Sequence, residues 1–474
     1  MVTSSTVPSA RLARWLLLPL LLVGVGLAGP AQAQNDVRTI DFDEAVRIAL
    51  DQNTDLKRAA NQVQRQDAQV QREYMDFVPN LNLSSSTTRR FGLVRDQQTF
   101  QLTNRTLDQF TLNGSTGITV FNGFENFASL QRSSLNAQAS SLSLERTRQD
   151  VVFAVMDRYI TLVQNQELIG VRQEELDVQE QQLEQIREFV EAGAQPRSDL
   201  FQQEANVAAA EQQLLTAERE AALSETRLIQ TLQLDPLVTY AFEAPSVDEQ
   251  NFRTATYDLN TLLNQAFQRR TDLQAQEIGV RAAEQNVRAA RSGYFPSLSL
   301  NFGYGTDWSS SLSDVIRDPE TGEIIEDNIS FFDHLDNRKG GQFGFSINIP
   351  VFNRMQTRNQ ITQAQIDLQN AKYQLDDQQQ AVALEVRQAY LDYQNAEKQL
   401  DVAGKRLRAA ERAREATQER YNLGAASFVE LAQVNADFVS AASEQVRARY
   451  NFLFQTKLID YYLGVLDPSV SLFQ

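Results

Sequence analysis

Val78-Pro79-Asn80-Leu81-Asn82-Leu83-Ser84 returns 217 positions later as Phe295-Pro296-Ser297-Leu298-Ser299-Leu300-Asn301. At the same offset Thr54-Asp55-Leu56 returns as Thr271-Asp272-Leu273. Val120-Phe121-Asn122 returns as Val351-Phe352-Asn353 after 231 positions, and there Tyr159 meets Tyr390, Gly193 meets Gly424, Asp199 meets Glu430 and Leu200 meets Leu431. A constant offset held over a long stretch marks a duplicated structural unit. The offset grows by 14 in one place, between Trp308 and Gly341, so one loop was lengthened and its surroundings were kept. The 474 residues are therefore read as one pseudo-symmetric body: a first repeat over 34–255 and a second over 256–474.

The heptapeptides open runs in which apolar and polar residues alternate. The clearest are Phe110–Val120, Leu298–Tyr304 and Phe343–Ile349; Leu81–Phe91 is weaker. Strands are expected at about 81–93, 109–121, 297–308 and 341–350. Runs of roughly ten alternating residues suit a membrane-spanning barrel strand, although a half-buried soluble sheet alternates equally. The polar partners are small (Ser, Thr, Asn, Gly), as a wet lumen requires, and the apolar ones are rich in Phe and Tyr, which favours the membrane. Four strands cannot close a barrel, and hydrocarbon does not tolerate an open sheet edge. Several chains must then share one barrel. Two would supply about eight strands, whose interior side chains fill; three would supply about 12 and leave a lumen.

Most of the remaining sequence is rich in helix formers, with no proline between Asn80 and Gln195 or from Val351 to Asp467. Asp41-Phe42-Asp43-Glu44 has the form of a capping box, which satisfies free N–H groups at a helix start. Long helices are expected over about 123–192 and 354–423, each ~105 Å at ~1.5 Å per residue. One carries Val155, Leu162, Ile169, Leu176, Leu183 and Val190 at every seventh position; the other carries Val386, Tyr393, Leu400, Leu407, Arg414 and Tyr421. A sustained seven-residue repeat specifies coiled-coil packing. Each helix ends in a glycine turn, at Gly193 and Gly424, and a returning helix follows, giving helical hairpins over 123–233 and 354–463. Residues 234–255, with Pro236 and Pro245, read as a linker.

Residues 1–33 have the form of a cleaved secretory signal: Arg11 and Arg14, an apolar run from Trp15 to Leu27, then Ala31-Gln32-Ala33. The run is short of the ~20 apolar residues a spanning helix needs. The formal charge is −17, and −19 once the two signal arginines are removed. So acidic a chain is a poor match for nucleic acid. There is no cysteine, which excludes disulfides and lipidation on an N-terminal cysteine, and the single histidine is His334. No phosphate loop, nucleophile motif or metal-ligand cluster is present. Catalysis, cofactors and metal centres are therefore not expected. The lengthened loop holds eight acids (Asp314, Asp318, Glu320, Glu323, Glu326, Asp327, Asp333 and Asp336), and Val315 to Ile325 has the pattern of a small hairpin within an otherwise solvated loop.

Signal, duplication, F-P-S-L-S-L after a helix and V-F-N before a long helix, in this order and spacing, resemble the TolC-like outer-membrane efflux protein family over about 36–465. The resemblance implies a mainly α fold with a membrane β-barrel. Three copies would form a helical tunnel across the periplasm and one shared 12-strand barrel in the outer membrane of a Gram-negative-type cell. It also implies a periplasmic adaptor and an inner-membrane pump as partners, with drugs, other small molecules or proteins as cargo. Carried onto this chain, it places adaptor docking at the turns of Gly193 and Gly424. It places a pore gate at Asp199, Glu430, Gln433 and Tyr421, the tyrosine tying the coiled coil shut. Ala426 stands where some members have a basic residue and Gln433 where some have a second acid, so a basic-residue gate network is not expected. Asp199 and Glu430 also have a simpler role, as acids in a first helical turn that the helix dipole favours. The other class consistent with export and long hairpins is a periplasmic adaptor or coiled-coil scaffold, which leaves the aromatic-rich strands unexplained. Scarce Met and His argue against soft-metal cargo.

Overall fold

The computed structural model describes residues 38–95, 102–104, 106–243, 255–310, 314–317, 320–321, 324–327 and 330–466. The export signal lies outside the described residues. Strand β1 (Arg38–Ile40) leads into α1 (Phe42–Gln52). The Asp41 carboxylate accepts from the Glu44 N–H at 2.7 Å, which caps α1. Asn53 ends α1 and caps α2 (Thr54–Met75), its amide oxygen accepting from the N–H groups of Asp55 and Leu56. Then come β2 (Asn80–Arg90), a small hairpin of β3 (Leu93–Arg95) and β4 (Leu102–Asn104), β5 (Leu107–Asn122), α3 (Glu125–Glu191), α4 (Arg197–Leu232) and β6 (Tyr240–Phe242). The second half runs α5 (Leu259–Arg269), α6 (Thr271–Ser292), β7 (Ser297–Ser309), β8 (Asp314–Arg317), β9 (Ile324–Asp327), α7 (Phe331–Asn337), β10 (Gly340–Asn348), α8 (Gln356–Asn422) and α9 (Phe428–Tyr462). Helices α3 and α8 each have 67 residues, about 100 Å at ~1.5 Å per residue. Among the described residues no helix is long and apolar enough to cross a membrane, which says nothing of the sheet.

The four long strands form one antiparallel sheet in the order β10-β7-β5-β2. Residues directly opposite each other share a face, so the register sorts the side chains. One face takes Leu81 and Leu83 from β2, Phe110, Leu112 and Ile118 from β5, Leu300, Phe302, Tyr304 and Trp308 from β7, and Phe343, Phe345 and Ile347 from β10. The other takes Asn80, Asn82, Ser84, Asn113, Ser115, Ser299, Asn301, Gln342 and Ser346. A shift of register between Thr119 and Phe121 returns Phe121 to the apolar face, opposite Leu298. Aromatic side chains gather at both ends of that face. Phe121, Phe124 and Phe127 cluster where the helices begin, and Phe110, Trp308 and Phe331 at the far end.

The helices pack on seams that follow the seven-residue repeat. Val155, Leu162, Leu176, Val386, Tyr393 and Tyr421 are buried, and the other seam positions are half-buried. Arg414, the charged residue in that repeat, is accommodated by stacking its guanidinium 3.6 Å over the Phe438 ring and approaching Glu174 at 3.6 Å, joining α8 to α9 and α3.

Four features depart from or add to the sequence reading. The expected linker 234–255 contains β6, which pairs in parallel with β1, Ile40 opposite Phe242. The fully buried Tyr159 clamps that pair, its hydroxyl donating to the carbonyls of Ile40 at 3.2 Å and Glu243 at 2.5 Å. In the second half the hydroxyl that grips backbone belongs to Tyr393, which donates to Ala255 O at 3.1 Å and accepts from Ala255 N at 2.8 Å. Tyr390, the positional match of Tyr159, accepts from Gln394 instead. Arg270 stands 217 positions after the cap residue Asn53 but makes no side-chain cap. It is buried and ion-paired with Asp272 at 2.5 Å and with Glu385 of α8, fastening α6 to α8. Finally, the acidic loop is more than a solvated excursion. Strands β8 and β9 form the expected hairpin. Helix α7, which the sequence did not suggest, is capped by Ser330 and packs Phe331 against Phe110 and Trp308.

Candidate functional site

The sequence points to the two glycine turns, and the structure brings them together. Gly193 has φ +76° and Gly424 has φ +75°, values that L side chains avoid. After α3 the Gly193 N–H donates to Val190 O at 3.0 Å and the Ala194 N–H to Phe189 O at 2.8 Å. After α8 the Gly424 N–H donates to Tyr421 O at 2.9 Å and the Ala425 N–H to Arg420 O at 2.7 Å. This is the same double-bonded helix stop in both repeats. Helix α4 restarts after Pro196, while α9 is capped by Ser427, whose hydroxyl accepts from the Glu430 N–H at 3.2 Å.

A small core joins the turns. Ile186 of α3, Tyr421 of α8, and Phe428 and Leu431 of α9 are buried together, with Leu200 of α4 and Ala426 packed against them. Tyr421 is thus held inside the turn end, and its hydroxyl accepts from the Gln195 side-chain amide at 3.0 Å, one turn bonded to the other. The expected acids have separate partners. Asp199 accepts from the neighbouring Ser198 hydroxyl at 3.2 Å. Glu430 accepts from Arg420 at 2.7 Å, and Arg420 also donates to Ala425 O at 3.1 Å.

Ala426 is apolar, as the sequence indicated, and the cation beside Glu430 is Arg420, in the last turn of α8. A glycine turn sets the residues three or four before it against those at the start of the returning helix. On that ground the sequence pairs Glu430 with Arg420, which the sequence reading did not name. Gln433 donates to Asp437 at 3.2 Å, so an acid does stand one turn further along α9 than the sequence comparison placed it. Leu423 and Val429 flank the second turn with 84% and 74% of their surfaces exposed, an apolar edge at the extremity of the hairpins. Among the described residues no group of three or more His, Asp or Glu is placed to hold a metal ion.

A duplicated chain that joins a sheet with one apolar, aromatic-edged face to paired hairpins about 100 Å long has the architecture of an outer-membrane channel with a periplasmic helical tunnel. Comparison with known proteins agrees. The chain belongs to the outer membrane efflux protein family, whose model matches residues 45–232 and 262–464. It is similar to the cation efflux system protein CusC of Escherichia coli O157:H7, 24% identical over 441 residues, covering 90% of this chain and 87% of that protein. It also resembles the outer membrane protein TolC of Escherichia coli K12, at 22% identity over 231 residues, 48% of this chain. That match spans less than half, 45%, of the TolC length. Among solved structures, the CmeC outer membrane channel of Campylobacter jejuni superposes with a TM-score of 0.75 at 18% identity, over 91% of this chain and 87% of that one. These relatives are channels, not enzymes, and they place this chain in the outer membrane.

Proposed function

We propose that three copies of this chain form a passive export duct. A periplasmic adaptor and an inner-membrane pump would drive cargo such as drugs, other small molecules or proteins through it. The observation that carries this reading is the sheet: β2 and β10 are edge strands of a four-stranded sheet with an apolar outer face. In hydrocarbon such edges must be paired, and pairing β10 of one copy with β2 of the next closes a 12-strand barrel at three copies. A second feature supports association along the helices. Ile366, Tyr373, Leu384, Leu391 and Val402 are exposed on α8. Their spacings of seven and 11 return to one line every five turns of helix.

In this reading the Asp199, Glu430, Gln433 and Tyr421 positions gate the far end of the tunnel, and the Gly193 and Gly424 turns, with Leu423 and Val429, present the adaptor-docking edge. Because the chain has no cysteine, single cysteines scanned along β2 and β10 report pairing directly. The expected product is a detergent-requiring species cross-linked in steps that stop at three chains and conducting ions in planar bilayers. A protein that is soluble without detergent, never inserts and forms no β2–β10 cross-link would overturn the duct in favour of a periplasmic adaptor or scaffold.

A further inference from the structure

We infer that the outward end of the apolar sheet face carries a seat for one anionic lipid of the outer leaflet, a phosphorylated, acylated glucosamine lipid of the lipid A type. It rests on the reading that this sheet lies in the outer membrane. Three successive rows of the register define the seat. Reading from β10 to β2, the outermost is Thr306, Leu112 and Ser85, with Lys339 just beyond the start of β10; the next is Gly341, Tyr304, Gly114 and Leu83; the third is Phe343, Phe302, Thr116 and Leu81. Small residues in the first two rows leave a groove of about 420 Å³ among Leu81, Leu83, Leu112, Phe302 and Tyr304, with Lys339 at its border. That volume lies in the range of small-molecule sites.

The groove has a structural cause. Tyr304 leans over Gly341, whose missing Cβ would stand 3.1 Å from the ring. On its other side, a Cβ at Gly114 would meet only the Tyr304 carbonyl at 3.6 Å and Leu83 Cδ1 at 3.9 Å. The dip between Tyr304 and Leu83 is thus open, apolar and continuous with the lipid-facing surface. An acyl chain fits this chemistry better than water does.

Lys339 supplies the polar end. It borders the groove from just outside the strand that starts at Gly340, at the end of the barrel away from the helices and therefore at the outer leaflet. Its ammonium pairs with Asp336, and both side chains are well exposed. A pair so exposed contributes little and exchanges readily, and a lysine stem can lie along the apolar groove while its head reaches a phosphate. Nearby, α7 sets Phe331 against Phe110 and Trp308, with Phe332 beside it and exposed. Such an aromatic rim marks the depth of the headgroups.

The test is native mass spectrometry of the detergent-purified channel after exchange with bisphosphorylated lipid A, with the same lipid dephosphorylated, and with phosphatidylglycerol. One lipid A per chain is expected to remain. Removing its phosphates, or Lys339→Ala, should lower retention about fivefold, the loss of one cation–phosphate attraction at a membrane surface. Gly114→Phe, which has room for its Cβ, should also lower it by filling the dip, whereas Asn301→Ala on the opposite face should leave it unchanged. Equal retention of all three lipids, or retention indifferent to both Lys339→Ala and Gly114→Phe, would overturn the seat and leave an ordinary lipid annulus. A channel that inserts and conducts yet shows no such preference loses only this inference; one that never inserts loses the barrel reading as well.

Discussion

Gly193 and Gly424 show how a single residue type sets the geometry of the two helix turns. A Cβ at either position meets nothing within 4 Å, so these glycines are required by their positive φ and not by crowding. Gly424→Ala is therefore expected to cost about 1–2 kcal/mol, the price of the left-handed conformation for an L residue, and Gly424→Asn distinctly less. Chemical denaturation followed by the helical circular dichroism signal measures both. Equal effects of Ala and Asn would point to a steric cause instead. Tyr159 is a different case, a side chain whose polar tip holds distant backbone. Removing its hydroxyl takes that donor from the carbonyls of Ile40 and Glu243, so Tyr159→Phe should destabilise by about 0.5–1.5 kcal/mol. Tyr390→Phe, at the duplicated position, should be nearly silent, because the backbone-gripping role has passed to Tyr393.

At the scale of elements, the joint between α6 and α8 carries a pH dependence. Burial on its own would raise the Asp272 carboxyl, but the hydrogen bonds and charge of Arg270 outweigh it and hold the group below its ordinary 3.8. Burial likewise works against the Arg270 cation, and its bonds to Asp272 and Glu385 more than compensate. A carboxyl depressed in the folded state contributes stability that is fully present above its unfolded value and is lost as pH falls through the folded one. Acid unfolding monitored between about pH 4 and pH 2 should therefore show a loss that Asp272→Asn removes, at the cost of lower stability at neutral pH. An acid limb unchanged in Asp272→Asn would show that the joint is not the group titrating. The Arg414 position is the matching case for the coiled coil. Truncation to Ala uncovers Phe438 and should destabilise. Arg414→Leu restores the apolar repeat and should be neutral or stabilising in thermal melts, as replacement of a partly buried ion pair often is.

Across the whole molecule, charge gathers at the two ends of the proposed duct, in the acidic loop after β7 and at the turns, and is sparse on the sheet between them. The polar sheet face is built of amides, hydroxyls and glycine from Asn80 to Thr88 and from Ser297 to Gly305, with no Asp, Glu, Lys or Arg in those spans. The turn end concentrates Asp199, Glu430 and Asp437 in α4 and α9. In the proposed duct the gate lies at the turns, so ion preference should be decided there, where repeated carboxylates attract cations. In planar bilayers, Asp199→Ala with Glu430→Ala is expected to raise conductance or weaken cation preference, and Asn301→Ala to change neither. Tyr421→Phe, which breaks the bond to Gln195, should raise the open fraction. A double-alanine channel with unaltered conductance and reversal potential would remove the gate from these residues.

The sequence by itself determined the long helices, the four long strands and their order. Alternation, the seven-residue repeat, caps and glycine stops are local rules, read within a few residues, and the duplication supported each of these elements through its copy. It was enough to place β5 and β7, the equal 67-residue helices and the family. The tertiary structure alone decided which elements meet and what the exceptional residues do there. Tyr240–Phe242 is too short to show a period, and it becomes a strand only because β1 lies beside it. Arg270 and Asn53 occupy matching places, yet one is a buried ion-pair centre and the other a cap, because α8 offers Glu385 to the first. Arg420, Arg414 and Phe331 likewise take their roles from partners in other elements. Such contacts join residues far apart in the chain, and their energies depend on burial and geometry that no local pattern encodes.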